Sequence, residues 1–164
     1  MKELLIKLNA CQKAIEWADD KSWEEIYNTC HRGDWLLWLH YKTNKEALQV
    51  RTLAKGHCAN TVRHLMKDGR SLNAVDTAIA FGEGKATKEE LKAASDAAYT
   101  AAYATYSAAY AAYAAAASYA AGAATKYKNQ KETADIVRKY IPIELWNVQK
   151  MIDELKLEKE VNNG

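Results

Sequence analysis

The sequence predicts an all-α protein, a bundle of about seven or eight helices around one long alanine- and tyrosine-rich helix. Three observations carry that expectation. A single proline, Pro142, and only seven glycines in 164 residues leave too few turn formers for a β-sandwich or barrel. Alanine, the best helix former and a poor strand residue, fills 19 of the 32 positions from Ala93 to Ala124. Leu, Ile and five Trp are too plentiful for a disordered chain. Residues 1–160 read as one helical domain: Trp-rich N-terminal helices over 1–81, the Ala/Tyr-rich helix over 87–126, C-terminal helices over 129–158. Residues 161–164 read as a frayed tail.

The first helix is expected from Lys2 to about Ala18, with Leu4, Leu5, Leu8, Cys11, Ile15 and Trp17 near one broad face. Ser22-Trp-Glu-Glu25 has the capping-box form and starts a short helix that ends near Cys30. Asp34 is placed to cap the very apolar run Trp35–Tyr41. Asn44 is placed to cap a helix reaching about Lys67, which Asp68-Gly69 would end. Ser71 would start a helix to Phe81. Gly82-Glu-Gly-Lys-Ala86 is a loop, and Thr87-Lys-Glu-Glu90 is a second capping box that opens the alanine block. An unbroken helix from there to Lys126 would span roughly 58 Å, so Gly122 is a candidate point of bending. Asn129 could cap a helix to Tyr140, and Pro142 suits the first position of a last helix to about Glu158.

The net charge of +2 excludes a strongly basic nucleic-acid binder. Its distribution is uneven: residues 41–70 alone carry +5, from Lys42, Lys45, Arg51, Lys55, Arg63, Lys67 and Arg70 against Glu46 and Asp68. A solvated helix face explains this, and so does a surface for an acidic partner or a nucleic-acid backbone. Three cysteines, Cys11, Cys30 and Cys58, at wide spacing read as buried thiols of a cytoplasmic protein. The N-terminal apolar run is broken by charge and does not read as a signal peptide. The alanine block is too polar for a membrane span.

Tyr99, Tyr103, Tyr106, Tyr110 and Tyr113 are spaced 4, 3, 4 and 3, the a/d pattern of a heptad seam, and the register continues to Tyr127. Two readings stand: a central packing helix whose rings fill the gaps between small residues, or a partner-binding stripe. Trp35 and Trp38 share a helix face, and Trp17, Trp23 and Trp146 could join them in one core.

Catalytic patterns are missing. No CxxC, HxxxH or HExxH occurs, and neighbours such as His57 and Cys58 point about 100° apart on a helix. Gly82-Glu-Gly-Lys85 lacks the spacer and the Ser/Thr of a phosphate loop. The paired carboxylates Asp19-Asp20, Glu24-Glu25 and Glu89-Glu90 sit at helix boundaries, where capping and the helix dipole account for them. These observations argue against an enzyme and against any cofactor or metal. Buried thiols and surface imidazoles are the simpler reading of the cysteines and histidines.

Ala10-Cys11, Ala14, Trp17, Trp23, Cys30 and Arg32-Gly-Asp-Trp-Leu-Leu-Trp38 resemble the start of a helical immunity-protein family found in bacterial polymorphic-toxin loci and phage or prophage genomes. Arg51-x-Leu-Ala54, Cys58-Ala59, Val62, Leu65 and the stretch Ala80–Leu91 with its alanine repeats extend the resemblance over about residues 8–125. It implies a small cytoplasmic, non-catalytic inhibitor that binds and occludes a protein partner, a toxin or a defence effector. Candidate partner-facing residues are Tyr99, Tyr103, Tyr106, Tyr110, Tyr113, Arg51, Lys55 and Arg63; Asp34, Trp35, Trp38 and Cys58 are candidate structural residues. Alternatives are a phage counter-defence or nucleic-acid-associated protein using residues 42–70, a self-assembling homodimer, and an enzyme built around Cys58.

Overall fold

The computed structural model describes the backbone of residues 1–99 and 119–162, and the side chains of 1–99, 127–158 and 161. The protein is an all-helical bundle, with no strand among the described residues. Its helices are α1 (Lys2–Lys7), α2 (Gln12–Trp17), α3 (Trp23–Thr29), α4 (Gly33–Thr43), α5 (Leu48–Asn60), α6 (Gly69–Gly82), α7 (88–99 of the described residues), α8 (Tyr119–Tyr140) and α9 (Val148–Asn162). Short 3-10 turns occupy Arg63–Leu65 and Ile143–Leu145.

Several boundaries differ from the sequence expectation, each for a local reason. The first helix is two helices. Asn9 adopts φ 59°, a left-handed conformation that Asn tolerates, and the chain turns there so that α2 packs back on α1. Asp34 does not cap α4; its carboxylate takes two hydrogen bonds from Arg32, from Nε at 2.8 Å and from a terminal nitrogen at 2.5 Å. Asn44 does not cap α5 either. It closes α4 and donates its side-chain amide to the Leu145 carbonyl at 2.8 Å. Helix α5 stops at Asn60, and Asp68 opens the next helix rather than ending the last one, accepting from the Arg70 amide at 2.8 Å. Asn129 lies inside α8, where it donates to Thr61 Oγ1 at 3.0 Å, and α8 runs through Gly122 without a break. Pro142 precedes the 3-10 turn, not α9.

Both capping boxes form. Ser22 Oγ accepts from the Glu25 amide at 3.1 Å while Glu25 accepts from the Ser22 amide at 2.7 Å; Thr87 and Glu90 repeat the pair at 3.1 and 2.7 Å.

The core lies where α4, α5 and α8 meet, closed by α1, α3 and α9. Leu4, Leu36, Val137, Ile141 and Val148 are fully buried there, each contributing about 1.5–3 kcal/mol by leaving water. Close approach is needed in two places: a Cβ on Gly33 would stand 2.6 Å from the Thr133 backbone, where α4 meets α8, and one on Gly82 would stand 2.7 Å from the Leu53 backbone, where α6 meets α5. The described part of the alanine block lies at the edge of this arrangement. In α7 only Ala94 is buried, and the groove beside α6 is shared by Ala74, Ala78, Leu91 and Ala98.

Candidate functional site

The five tryptophans join one core, Trp23 and Trp146 buried within it and Trp17, Trp35 and Trp38 packed against its edge. Trp23 and Trp146 are buried and lie 5.0 Å apart, joined by Tyr27 and His40, and Trp146 Nε1 donates to the Ile141 carbonyl at 3.1 Å. Arg138 holds the same corner. It donates to the Tyr27 carbonyl at 2.5 Å and to the Cys30 carbonyl, satisfying two groups that the end of α3 leaves unpaired.

Trp17, Trp35 and Trp38 are only half-buried and wall a cavity of about 440 Å³ between the α1–α2 pair and the α3–α4 pair. Asp34 stands in its lining beside Cys11 and Cys30. The Arg32 guanidinium holds the Asp34 carboxyl below its ordinary pKa, an effect larger than the opposing desolvation. Residues of the Asp-Trp-Leu-Leu-Trp segment thus serve both core and cavity: Leu36 is fully buried while Trp35 and Trp38 border the opening.

The basic segment divides. Arg51, expected among the partner-facing cations, is buried at 3% exposure. Its guanidinium donates to the Asn44 carbonyl at 2.8 Å and the Lys45 carbonyl at 3.2 Å and lies over the Tyr41 ring. It organises the α4–α5 loop from below. Arg63 forms a two-pronged pair with Asp76, at 2.5 and 2.8 Å. Lys55 reaches the surface, with its pKa lowered first by desolvation and then by the Arg51 charge.

Exposed apolar groups flank the loop that Arg51 holds. Tyr41 is 50% exposed, Leu48 38% and Leu145 41%. Leu145 is tied to the loop through Asn44, and Asn147 donates to the Thr43 carbonyl at 3.1 Å. Lys42, Lys45 and Lys55 lie in the same stretch of sequence, with Glu46 within it and Glu144 next to Leu145.

In the tyrosine ladder, Tyr99 is 73% exposed, and Tyr127 is exposed with its ring 5.2 Å from His31. Tyr103, Tyr106, Tyr110 and Tyr113 lie outside the described residues.

The thiols and imidazoles depart from the simple reading. Cys11 is exposed, while Cys30 is buried and Cys58 partly so. Burial pushes the Cys58 thiol up to about 11, and its Sγ donates to the Thr133 carbonyl at 3.6 Å, the opposite of an activated nucleophile. His57 stacks on Tyr140 at 4.3 Å. His40 is the unforeseen one: fully buried, its pKa lowered to about 4 by desolvation and then by the Arg51 cation. The Leu145 carbonyl favours the charged ring, yet neither ring nitrogen has a hydrogen-bond partner of good geometry. No group of three or more metal-ligating side chains occurs among the described residues, and no helix there is long and apolar enough to cross a membrane.

Comparison with known proteins finds no matching family model, no similar curated protein and no similar solved structure. Two residues that shape the site, Arg138 and His40, went unsingled in the sequence. Arg138 carries no cue to its α3 partners more than 100 positions away. His40 has one: it continues an otherwise apolar run.

Proposed function

We propose that the protein is a non-catalytic binding protein of the inhibitor or immunity type, occluding a protein partner such as a toxin or defence effector. One observation carries this reading. The last turn of α4, the first residue of α5 and the turn before α9 present Tyr41, Leu48 and Leu145 to solvent around a loop fixed by Arg51, Asn44 and Asn147, in a segment that also carries Lys42, Lys45 and Lys55. A large aromatic ring at the end of an ordered helix binds at little entropic cost, and cations of the same segment steer an acidic partner and speed its encounter. The resemblance of the Trp-rich segment to helical immunity proteins supports the same reading. The +5 segment contributes through Lys42, Lys45 and Lys55, because Arg51 is committed to the loop and Arg63 to Asp76.

The test is quantitative affinity capture from host cells with the wild type and with a Tyr41→Ser/Leu145→Ser variant. The proposal expects a protein enriched by the wild type and lost by the variant, with both melting at the same temperature. Equal enrichment by both would overturn it. A dimer of the wild type that the variant fails to form would replace the foreign partner by a second copy of this chain.

A further inference from the structure

We propose that the cavity walled by Trp17, Trp35 and Trp38 is a binding site for a small amphipathic organic anion: an aromatic body with one acidic head. At about 440 Å³ it falls within the range of ligand-sized clefts. Its walls are indole rings and small or aliphatic side chains, including Ala14, Ala18, Leu36 and Leu39. Flat apolar bodies pack well against such surfaces in offset or edge-to-face geometry.

The head group follows from charge and from free donors. Each of the three cavity tryptophans has a cation over its ring: Lys21 at 4.8 Å from Trp17, Arg32 at 4.5 Å from Trp35 and Lys42 at 5.8 Å from Trp38. The core tryptophans Trp23 and Trp146 have none among the described residues, and lie against each other instead. The three cations lie over the rings but outside the cavity lining; Lys21 also donates to the Trp17 carbonyl at 2.7 Å, and Arg32 is paired with Asp34. The only carboxylate in the lining, Asp34, is occupied by the two-pronged Arg32 pair, which offsets its repulsion of an entering anion. Trp146 spends its indole N–H on the Ile141 carbonyl; the indole N–H groups of Trp17, Trp35 and Trp38 make no hydrogen bond to a described residue. They are therefore available as donors to an anionic oxygen. An uncharged ligand would use the walls alone.

The probes are 8-anilinonaphthalene-1-sulfonate and N-phenyl-1-naphthylamine, the same ring system with and without the acid. The inference expects saturable one-to-one binding of the sulfonate, with the uncharged compound about fivefold weaker, as loss of two or three partly exposed charge contacts implies. In a two-dimensional spectrum the sulfonate should shift the indole N–H signals of Trp17, Trp35 and Trp38 and leave those of Trp23 and Trp146 in place. Lys21→Gln/Lys42→Gln, changed at the surface, should reduce sulfonate binding about fivefold and leave the uncharged probe unaffected. Ala14→Leu, which fills the cavity, should weaken both probes by about tenfold. Shifts confined to other residues, or equal affinity for the two probes in the wild type, would overturn the inference. If Ala14→Leu unfolds the protein, the spectrum and the lysine variant still decide.

Discussion

Replacing His40 by leucine tests the most unusual group in the core. The wild-type imidazole is fully buried, neither nitrogen has a hydrogen-bond partner of good geometry, and its pKa is lowered from 6.5 to about 4. A histidine whose folded pKa is depressed leaves stability intact above the unfolded value and removes it as pH falls, because the unfolded chain takes up the proton first. The loss therefore develops between pH 6.5 and about 4. It amounts to about 3 kcal/mol in full and about 2.5 kcal/mol by pH 4.5. Leucine does not titrate and leaves no unpaired nitrogen, which is worth about 1–3 kcal/mol; part of that is lost to poorer packing beside Trp146. Urea unfolding followed by circular dichroism at pH 7.5 and 4.5 gives both numbers. At pH 7.5 the variant should equal or slightly exceed the wild type, and at pH 4.5 its advantage should grow by about 2.5 kcal/mol. A difference between the two proteins that does not change with pH would refute the argument.

Other perturbations have defined outcomes. Arg138→Met should cost roughly 2–4 kcal/mol in urea unfolding, because the Tyr27 and Cys30 carbonyls lose their donors; Arg138→Lys should recover only part, having no fork to reach both. Gly33→Ala should cost about 1–3 kcal/mol because its Cβ would meet the Thr133 backbone, whereas Gly69→Ala, with nothing within 4 Å, should be close to neutral. Alkylation at pH 8 followed by mass spectrometry should label Cys11 first, ahead of both buried Cys30 and partly buried Cys58. At a thiol pKa of about 11 the thiolate is present in about one Cys58 in a thousand.

Fold class and helix starts made by local chemistry were legible in the sequence. The boxes Ser22/Glu25 and Thr87/Glu90 formed because donor and acceptor sit three residues apart and need nothing else. Asn44 and Asn129 look equally good as caps, yet each spends its amide on a distant partner, the Leu145 carbonyl and Thr61 Oγ1. A lone cap residue has no such second tie to hold it at a helix start. The break at Asn9 was hidden because hydrophobic periodicity continues across it, and only the positive φ reveals the turn. Charge patterning counted Arg51 and Lys55 as equals, four residues apart on one helix. Tertiary packing separates them: Arg51 finds carbonyls to satisfy it in the interior, and Lys55 goes to solvent. The Trp-rich segment stood out from the start, but its division between a buried box and an open cavity depends on α8 and α9, which lie far along the chain.

Hydrogen exchange of the protein alone and bound to a captured partner tests the proposed binding surface most directly. The account predicts slowed exchange over residues 41–48, from the end of α4 to the start of α5, and over the turn 143–147, the stretches that carry Tyr41, Leu48 and Leu145, with little change in α6. Protection that leaves both stretches untouched, and appears only elsewhere in the bundle, would contradict it.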